Sequence, residues 1–260
     1  MPLGPAESQR YARHIVLKGL GGPGQQKLKS ASIAIVGAGA LGSAALAYLA
    51  AAGIGRITLI DHDRVALSNL QRQIVHRTDQ VGRPKAETGA AFALILNPEI
   101  AVTPIVERVN DRSVRALLAG HDVVLDASDS FATRLAVSDA AFHEESPLVT
   151  GAIMQFDGTL TTILAHRRDA AGNFLPSFRC LYPEIPDAMP SCAEAGVLGP
   201  VAGVIGSLMA VEAIKLVAGI GEPLVGRLLV YDGRDARFSE IAYRWRASNP
   251  LTGSPTEPVR

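Results

Sequence analysis

The sequence has few cysteines and no net charge. Two cysteines, Cys180 and Cys192, are too few for a disulfide framework, so we expect a reducing compartment and a cytoplasmic protein. The 25 Lys and Arg residues balance the 25 Asp and Glu residues, which argues against a general nucleic-acid surface. One apolar run, residues 197–220, is long enough to span a membrane, but Glu212 and Lys215 interrupt it. We therefore predict a buried helix there, and neither nucleic acid nor a membrane as a partner.

Strand-like and helix-like segments alternate through the first 151 residues. Short β-branched runs predict strands at 33–36, 56–60, 101–106, 122–125 and 148–151. Helical patterns lie between them at 40–52, 85–96, 113–118 and 131–144. An amphipathic helix over 6–18, followed by a turn at 21–24, adds an N-terminal helical segment. This alternation predicts an α/β fold with a Rossmann-like, doubly wound and mostly parallel sheet.

The pattern changes after residue 151. Residues 159–165 alternate like an antiparallel strand, and 227–231 with 237–243 form a hairpin, so antiparallel strands should continue the sheet. A helix is predicted at 200–218.

Two irregular segments are also predicted. Residues 166–194 are rich in Pro, Asp and Gly and predict a long, mobile crossover loop that closes over a substrate. The tail, residues 249–260, has three prolines and is predicted to be disordered, which leaves residues 1–248 as a single domain.

A glycine-rich turn follows the first predicted strand. Gly37, Gly39 and Gly42 form G-x-G-x-x-G between a strand and a helix. Gly37 permits the tight turn, Gly39 lets the backbone approach a phosphate, and Gly42 lets the helix pack closely on the strand. Asp61 ends the second strand, where an acid takes ribose hydroxyls, whereas Asp63 could serve structure or a metal. The sequence thus predicts a nucleotide site.

Polar residues past the second strand favour ATP as a reactant. Asn69, Arg72 and Gln73 are close in sequence, and the planar guanidinium of Arg72 can clamp a phosphate. Lys85 opens the next helix, a suitable place for a point charge that faces phosphate.

Ser128 and Asp129 follow the strand at 122–125, and ligands bind at the carboxyl ends of parallel strands. Asp129 could hold Mg²⁺, which bridges phosphate oxygens. Arg72, Lys85 or Asp129 alone would be typical of a solvated surface, but their joint placement at strand ends indicates a triphosphate site.

Six motifs over residues 10–245 stand in the order of a known family. They are Arg10-Tyr11-Ala12-Arg13-His14-Ile15, the turn from Gly37 to Gly42, Ser68-Asn69-Leu70-Gln71-Arg72-Gln73, Arg83-Pro84-Lys85, Ser128-Asp129 and Cys192-Ala193-Glu194-Ala195-Gly196-Val197. In these motifs the chain resembles the MoeB/ThiF (HesA/MoeB/ThiF) family of adenylyltransferases, relatives of the ubiquitin-activating E1 enzymes.

The resemblance implies an activity and its reactants. The family adenylates the C-terminal glycine of a small ubiquitin-like sulfur carrier that ends in Gly-Gly, using ATP and Mg²⁺ and releasing pyrophosphate. The molybdopterin synthase small subunit is the preferred carrier here, and the thiamin-thiazole carrier is the alternative. Because no rhodanese-like segment follows, we expect sulfur to come from a separate sulfurtransferase.

The resemblance also implies residue roles. Asp61 binds ribose, and the phosphates are held by Asn69, Arg72, Gln73 and Lys85. Asp129 is the essential acid near the metal and the triphosphate. Arg13 corresponds to an arginine that each subunit contributes to its neighbour's ATP site, which implies a homodimer. The reaction would thus depend on Asp129, Arg72, Lys85 and Arg13.

The chain departs from the family at its cysteines. Many members hold a structural zinc with two C-x-x-C pairs, but here one pair is Ser177-Phe178-Arg179-Cys180 and residues 249–253 contain no cysteine. A tetrahedral thiolate site needs four ligands, so we expect no zinc. Cys192 stands where some members have a cysteine that joins the carrier through sulfur, which makes it a candidate for a thiol relay or a packed loop thiol. Ser130 replaces the asparagine that usually follows the essential acid.

Two other function classes remain to be distinguished. A nicotinamide-dependent oxidoreductase would explain the glycines and Asp61, but not Arg72, Lys85 and Asp129. A non-catalytic carrier-binding scaffold would explain Ser130 and the missing cysteines, but not a complete set of charged residues for ATP.

Overall fold

The computed structural model describes residues 2–183 and 196–253. Its eight strands are β1 (Ser32–Val36), β2 (Arg56–Ile60), β3 (Ala101–Ile105), β4 (Val123–Asp126), β5 (Leu148–Met154), β6 (Asp157–Ile163), β7 (Arg227–Asp232) and β8 (Arg237–Ala242). Its helices are α1 (Pro5–Arg10), α2 (Ala12–Ile15), α3 (Gly21–Ser30), α4 (Ala40–Ala52), α5 (Lys85–Leu96), α6 (Val114–Leu118), α7 (Phe131–His143), α8 (Phe178–Leu181) and α9 (Gly199–Ala218).

The strands form one sheet in the order β3-β2-β1-β4-β5-β6-β7-β8. Strands β1 to β5 are parallel, and β6, β7 and β8 continue the sheet with antiparallel pairing. The predicted fold class, a doubly wound and mostly parallel sheet extended by antiparallel strands, is confirmed. The strand order reverses between β1 and β4, and at such a point a crevice opens at the carboxyl ends of the strands.

Both faces of the sheet are covered. All five residues of β1 are buried, and their side chains alternate between two cores. Ile33 and Ile35 pack with residues of α4 and α9, whereas Ala34 and Val36 pack with residues of α6 and α7. This burial on both faces explains why the strand is a continuous apolar run instead of an alternating one.

Helix α9 is by length and composition apolar enough to cross a membrane. It instead lies against α4 and the sheet, with Ile205 and Met209 fully buried. Its buried Glu212 accepts hydrogen bonds from Thr162 Oγ1 at 2.6 Å and from the Leu224 amide at 2.8 Å, and it pairs with Lys215. Glu212 therefore joins the helix to β6 and to the segment before β7, while Lys215 balances its charge, and the prediction of a buried helix at this place is confirmed.

The N-terminal prediction was wrong in two details. The helix expected over 6–18 breaks at Tyr11, because this buried ring packs against Gly53 and its hydroxyl accepts a hydrogen bond from Asn97. The turn expected at 21–24 is instead the first turn of α3. Pro23 is tolerated there because the first N–H groups of a helix have no intrahelical partner.

The later irregular segments also differ from expectation. The loop predicted at 166–194 contains helix α8, and residues 184–195 lie outside the described residues. The tail predicted to be disordered from Asn249 is packed through Gly253, with Asn249 only 4% exposed. The low hydrophobicity and the prolines of the tail predicted disorder, because the packing of Asn249 depends on hydrogen bonds between polar side chains, which such a pattern does not indicate. Residues 254–260 lie outside the description.

Gly42 provides a test of how tightly α4 packs on β1. A Cβ at Gly42 would lie 1.9 Å from the Gly37 carbonyl oxygen, and backbone cannot yield as a flexible side chain does. We expect Gly42→Ala to lower the free energy of unfolding by more than about 2 kcal/mol in urea titrations.

Gly203→Ala is the matched control, since it also lies in a helix but a Cβ there meets nothing within 4 Å. It should leave stability unchanged or raise it by up to about 1 kcal/mol. Equal stability of the two variants would contradict the packing argument.

Candidate functional site

A cleft opens where β1, β2 and β4 end, at the reversal of strand order. It brings together nine of the residues predicted from the sequence: Gly37, Gly39, Asp61, Asp63, Arg72, Gln73, Lys85, Ser128 and Asp129. They come from segments up to about ninety residues apart, and the shared edge of a parallel sheet is what brings them close.

The glycine turn is shaped by close backbone contacts. Gly37 has φ of +98°, and a Cβ there would lie 2.7 Å from the Ala127 carbonyl oxygen just past β4. At Gly39 the nearest atom to an added Cβ is Gln73 Nε2 at 3.7 Å, so this part of the turn stays open to the cleft. Gly42 lies behind the turn, against the Gly37 carbonyl, and does not line the cleft. This geometry fits the three roles predicted for these glycines.

Asp61 links the glycine turn to the end of β2. Its Oδ2 accepts a hydrogen bond from the Ala38 amide at 2.7 Å, and its Oδ1 accepts one from the Asp63 amide at 2.7 Å. The carboxylate therefore orients the turn, and it still lines the cleft.

Lys85 is buried at the start of α5, 6% exposed, and its ammonium group donates to Asp63 Oδ2 at 2.9 Å. Partial burial opposes ionisation of Asp63. The hydrogen bond and charge of Lys85, with His62 and Arg108, outweigh burial and hold the pKa of Asp63 below its usual value. The pair keeps a positive group in the cleft wall without leaving a buried charge unpaired.

Sequence reasoning missed His76, which lies between the glycine turn and α5. Its Nε2 lies 2.9 Å from the Ala38 carbonyl oxygen, and its Nδ1 lies 2.9 Å from Thr88 Oγ1 on α5. Burial, with the charge of Lys85, lowers the pKa of His76 despite the opposing effects of Ala38 and Asp61. The neutral ring thus fits as a spacer between turn and helix. A lone histidine in an irregular stretch gives no sequence signal for this role.

Arg72 and Gln73 present polar groups to the cleft. Arg72 uses Nη1 to hold the Ser68 carbonyl at 3.1 Å, which leaves other N–H groups of its fork for a ligand. Gln73 is 4% exposed, and its Oε1 has no hydrogen-bond partner among the described residues. A buried amide oxygen without a partner is costly, so it suits a bound molecule that supplies a donor. Asn69 does not line the cleft; its Oδ1 accepts from the Ala66 amide at 3.1 Å.

Asp129 lies between the end of β4 and the start of α7, exposed in the cleft. The loop before it is held by the buried Asp126, whose Oδ1 accepts from the Ser128 hydroxyl at 2.6 Å and whose Oδ2 accepts from Thr150 at 2.8 Å. Ser130 caps α7 by accepting from the Thr133 amide at 3.4 Å. The serine that replaces the family's asparagine therefore starts the helix and also lines the cleft.

The cleft wall also includes residues that the sequence motifs did not predict. Glu107, Arg108 and Val109 follow β3, and Thr133 and Arg134 lie in the first turns of α7. The placement of Glu107 to Val109 after a parallel strand is a signal that could have found them.

Two other predicted features lie apart from the cleft or outside the description. Arg13 is exposed on α2 and does not line the cleft. Cys192 lies outside the described residues. In the cleft wall itself, Asp61, His62 and Asp63 offer ligand atoms within 4.8 Å of one another, a group that could hold a metal ion.

Three curated relatives are similar over nearly the whole chain. The SAMP-activating enzyme E1 of Haloferax volcanii is 44% identical over 97% of this chain and 92% of its own length. The sulfur carrier protein adenylyltransferase of Thermus thermophilus is 44% identical over 96% and 93%. The molybdopterin-synthase adenylyltransferase of Escherichia coli is 42% identical over 92% and 94%.

Solved structures of E. coli MccB share the fold. The complex with MccA-N7isoASN has a TM-score of 0.82 at 21% identity and covers 95% of this chain and 75% of that chain. The complex with ATP has a TM-score of 0.79 at 21% identity and covers 97% and 76%.

A family model describes nearly all of this fold and cleft. The ThiF family model matches residues 11–251, which include every strand of the sheet and the whole cleft wall. With these matches, the resemblance seen in the sequence motifs is confirmed, and the chain belongs to the ThiF family.

Proposed function

We propose that this chain uses ATP to adenylate the C-terminal glycine of a small ubiquitin-like sulfur carrier. The observation that carries the proposal is the meeting of Arg72, Lys85 and Asp129 with the glycine turn in one cleft. The names of the relatives from T. thermophilus and E. coli, a sulfur carrier protein adenylyltransferase and a molybdopterin-synthase adenylyltransferase, support the reaction.

The reaction joins two anions. A carboxylate oxygen of the carrier's last glycine forms a bond to the α-phosphorus, and the bond from that phosphorus to the bridging oxygen breaks. Pyrophosphate leaves with the electron pair. Because the carboxylate is already ionised at pH 7, no general base is needed. Catalysis then depends on positioning and on neutralising charge.

The cleft supplies these two requirements. Arg72, Gln73 and Lys85 line the cleft and bind the phosphates, and the amino terminus of α4 behind Gly37 and Gly39 adds backbone donors. Because Lys85 is already paired with Asp63, its ammonium group would contact the triphosphate and the Asp63 carboxylate together. Asp61, which lines the cleft just past β2, binds the ribose in this proposal.

The acidic residues fit a magnesium ion. Asp129 carries the Mg²⁺ contact in this proposal, with Ser128 beside it, and carboxylate and hydroxyl oxygens are the hard ligands that this ion prefers. Bound Mg²⁺ supplies charge neutralisation on the triphosphate. The exposed position of Asp129 leaves its carboxylate free for that contact.

The proposal includes a homodimer with composite sites. Arg13 is exposed on α2 and lies apart from its own cleft, and this exposure supports the proposed role in the site of a second subunit. The proposal also includes a separate sulfurtransferase that acts on the acyl-adenylate in the cytoplasm, with Cys192 as a candidate for a thiol relay.

We propose the molybdopterin synthase small subunit as the carrier. The E. coli relative's name supports this choice. Carriers for the thiamin thiazole or for another sulfur pathway are the alternatives, and the test below separates them.

ATP–pyrophosphate exchange tests the reaction. Each candidate carrier with a Gly-Gly end is added in turn, since exchange needs the carrier's carboxylate. We expect exchange with one carrier, and a loss of about 10²–10³-fold in Asp129→Asn, which keeps the shape but removes the charge. The control Asp111→Asn changes an exposed acid outside the cleft and should keep wild-type exchange.

Other outcomes identify the rival functions. ATP binding without exchange for any carrier would favour a non-catalytic scaffold. Binding of NAD in place of ATP would favour an oxidoreductase.

Mixing two inactive variants tests the composite site. Arg13→Ala and Asp129→Ala subunits are unfolded and refolded together in equal amounts, so that about half of the dimers are mixed. Each mixed dimer has one intact site, made of Asp129 from one subunit and Arg13 from the other. We expect activity to return to about a quarter of wild type. Activity that stays at the level of the separate variants would contradict a shared site.

A further inference from the structure

The positions that hold zinc-binding cysteines in many family members carry mostly other side chains in this chain. The first pair is Ser177 and Cys180, and the second falls on Asn249 and Thr252. Structural zinc is bound by thiolates and imidazoles. Of these four side chains only Cys180 offers such a ligand, so the donor set does not fit zinc.

A side-chain amide occupies the place between the first two positions. Asn249 Nδ2 donates to Ser177 Oγ at 2.8 Å and to Cys180 Sγ at 2.9 Å, one N–H for each acceptor. Ser177, Cys180 and Asn249 are 0%, 1% and 4% exposed. A cation at this point would face the hydrogens of the amide instead of lone pairs, and the two acceptors are already satisfied.

The neighbouring polar groups are also used. Ser177 Oγ caps α8 by accepting from the Arg179 amide at 3.2 Å. Asn249 Oδ1 accepts from the Leu251 amide at 2.9 Å, and Thr252 Oγ1 accepts from Trp245 Nε1 at 3.1 Å. The C-terminal segment is thus folded around the same amide that contacts α8.

Helix α8 in turn contacts the helix that follows Asp129. The rings of Phe178 and Tyr182 each lie 5.5 Å, centroid to centroid, from the ring of Phe131 at the start of α7. Arg179 forms an ion pair with Asp139 of α7, Nη2 to Oδ2 at 2.6 Å. Anything that holds α8 therefore also supports the start of α7.

We infer that Ser177, Cys180 and Asn249 form a metal-free clasp, the Asn249 clasp, which attaches the C-terminal segment to α8 by hydrogen bonds in place of zinc coordination. The clasp is independent of the reaction proposed above. Because the donor amide reaches two buried acceptors, its removal takes a hydrogen bond from each of them, and Ser177 Oγ keeps the one from the Arg179 amide.

Metal content and thermal unfolding test the clasp. Wild-type protein should contain far less than one zinc per subunit, and its Tm should not change with a chelator. Asn249→Ala should lower Tm by roughly 3–10 °C. Asn173→Ala, an exposed asparagine on the loop before α8, is the matched control and should keep the wild-type Tm.

Thiol reactivity gives a second readout. In a Cys192→Ser background only Cys180 can react, and Asn249→Ala should raise its rate with a thiol reagent at least about tenfold, since the clasp keeps it buried. About one zinc per wild-type subunit, or a Tm that falls in chelator, would overturn the inference. So would an Asn249→Ala variant with wild-type Tm and an unreactive Cys180.

A separate observation concerns Arg134 on α7. Its Nη2 donates to the Ser128 carbonyl at 2.6 Å, and its Nη1 donates to the Gly151 carbonyl of β5 at 2.8 Å. The Ser128 carbonyl belongs to the peptide bond that leads into Asp129. Asp126 holds the amide and hydroxyl of Ser128 from the other side.

The geometry assigns Arg134 as a positioning residue that fixes the orientation of the peptide before Asp129. This assignment rests on the proposed role of Asp129. The planar fork reaches two carbonyls at once, which a lysine cannot reproduce although it keeps the charge. A small displacement of a reacting group can cost about a hundredfold in rate.

Arg134→Lys separates position from charge. We expect its kcat for carrier adenylation to fall on the order of tenfold to a hundredfold, with KM for ATP within about twofold of wild type. Arg115→Lys is the control, because Arg115 lies on α6, outside the cleft, in an exposed ion pair with Glu144. This variant should keep the wild-type kcat. A wild-type kcat in Arg134→Lys would show that charge alone suffices and would overturn the assignment.

Hydrogen exchange keeps this test independent of the proposed reaction. Backbone amides from 127 to 131 should exchange faster in Arg134→Lys than in wild type, whether or not a carrier has been found. Unchanged exchange there would overturn the assignment. Failure of wild-type protein to catalyse pyrophosphate exchange with any carrier would instead count against the proposed function.

Discussion

The close approach of the chain past β1 to the chain past β4 is the constraint on which the cleft depends. At Gly37 a Cβ would lie 2.7 Å from the Ala127 carbonyl oxygen, and at Gly42 one would lie 1.9 Å from the Gly37 carbonyl oxygen. The two glycines let β1, α4 and the loop after β4 meet at the reversal of strand order. That meeting places the glycine turn beside Asp129 and opens the crevice between them.

Several charged side chains of the cleft are paired or hydrogen-bonded to neighbouring groups before any ligand binds. Lys85 is paired with Asp63, and Asp61 accepts backbone amides on both sides. The buried Asp126 receives three hydrogen bonds in the loop before Asp129. Such preorganisation avoids the cost of reorienting dipoles during reaction, which suits a step in which two anions approach.

Local pattern predicted most of the elements, because their signals lie in short stretches of chain. The predicted helix at 85–96 and strand at 56–60 match α5 and β2. Pro84 directly precedes the first residue of α5, and Gly55 directly precedes the first residue of β2. The N-terminal helix was misjudged because Tyr11 is buried by a distant contact with Gly53. Propensity carries no information about such a contact.

What the sequence by itself determined is the fold class, the glycine turn and the family, since each rests on periodicity or on residues adjacent in the chain. The tertiary structure decided which polar residues share the cleft: it placed Lys85 against Asp63 and left Asn69 outside the wall. It also placed His76 behind the wall, between the glycine turn and α5. It also decided that Asn249, expected in a disordered tail, is buried against Ser177 and Cys180. Hydrogen bonds between residues seventy positions apart form only when the sheet and its helices have set the distances between them.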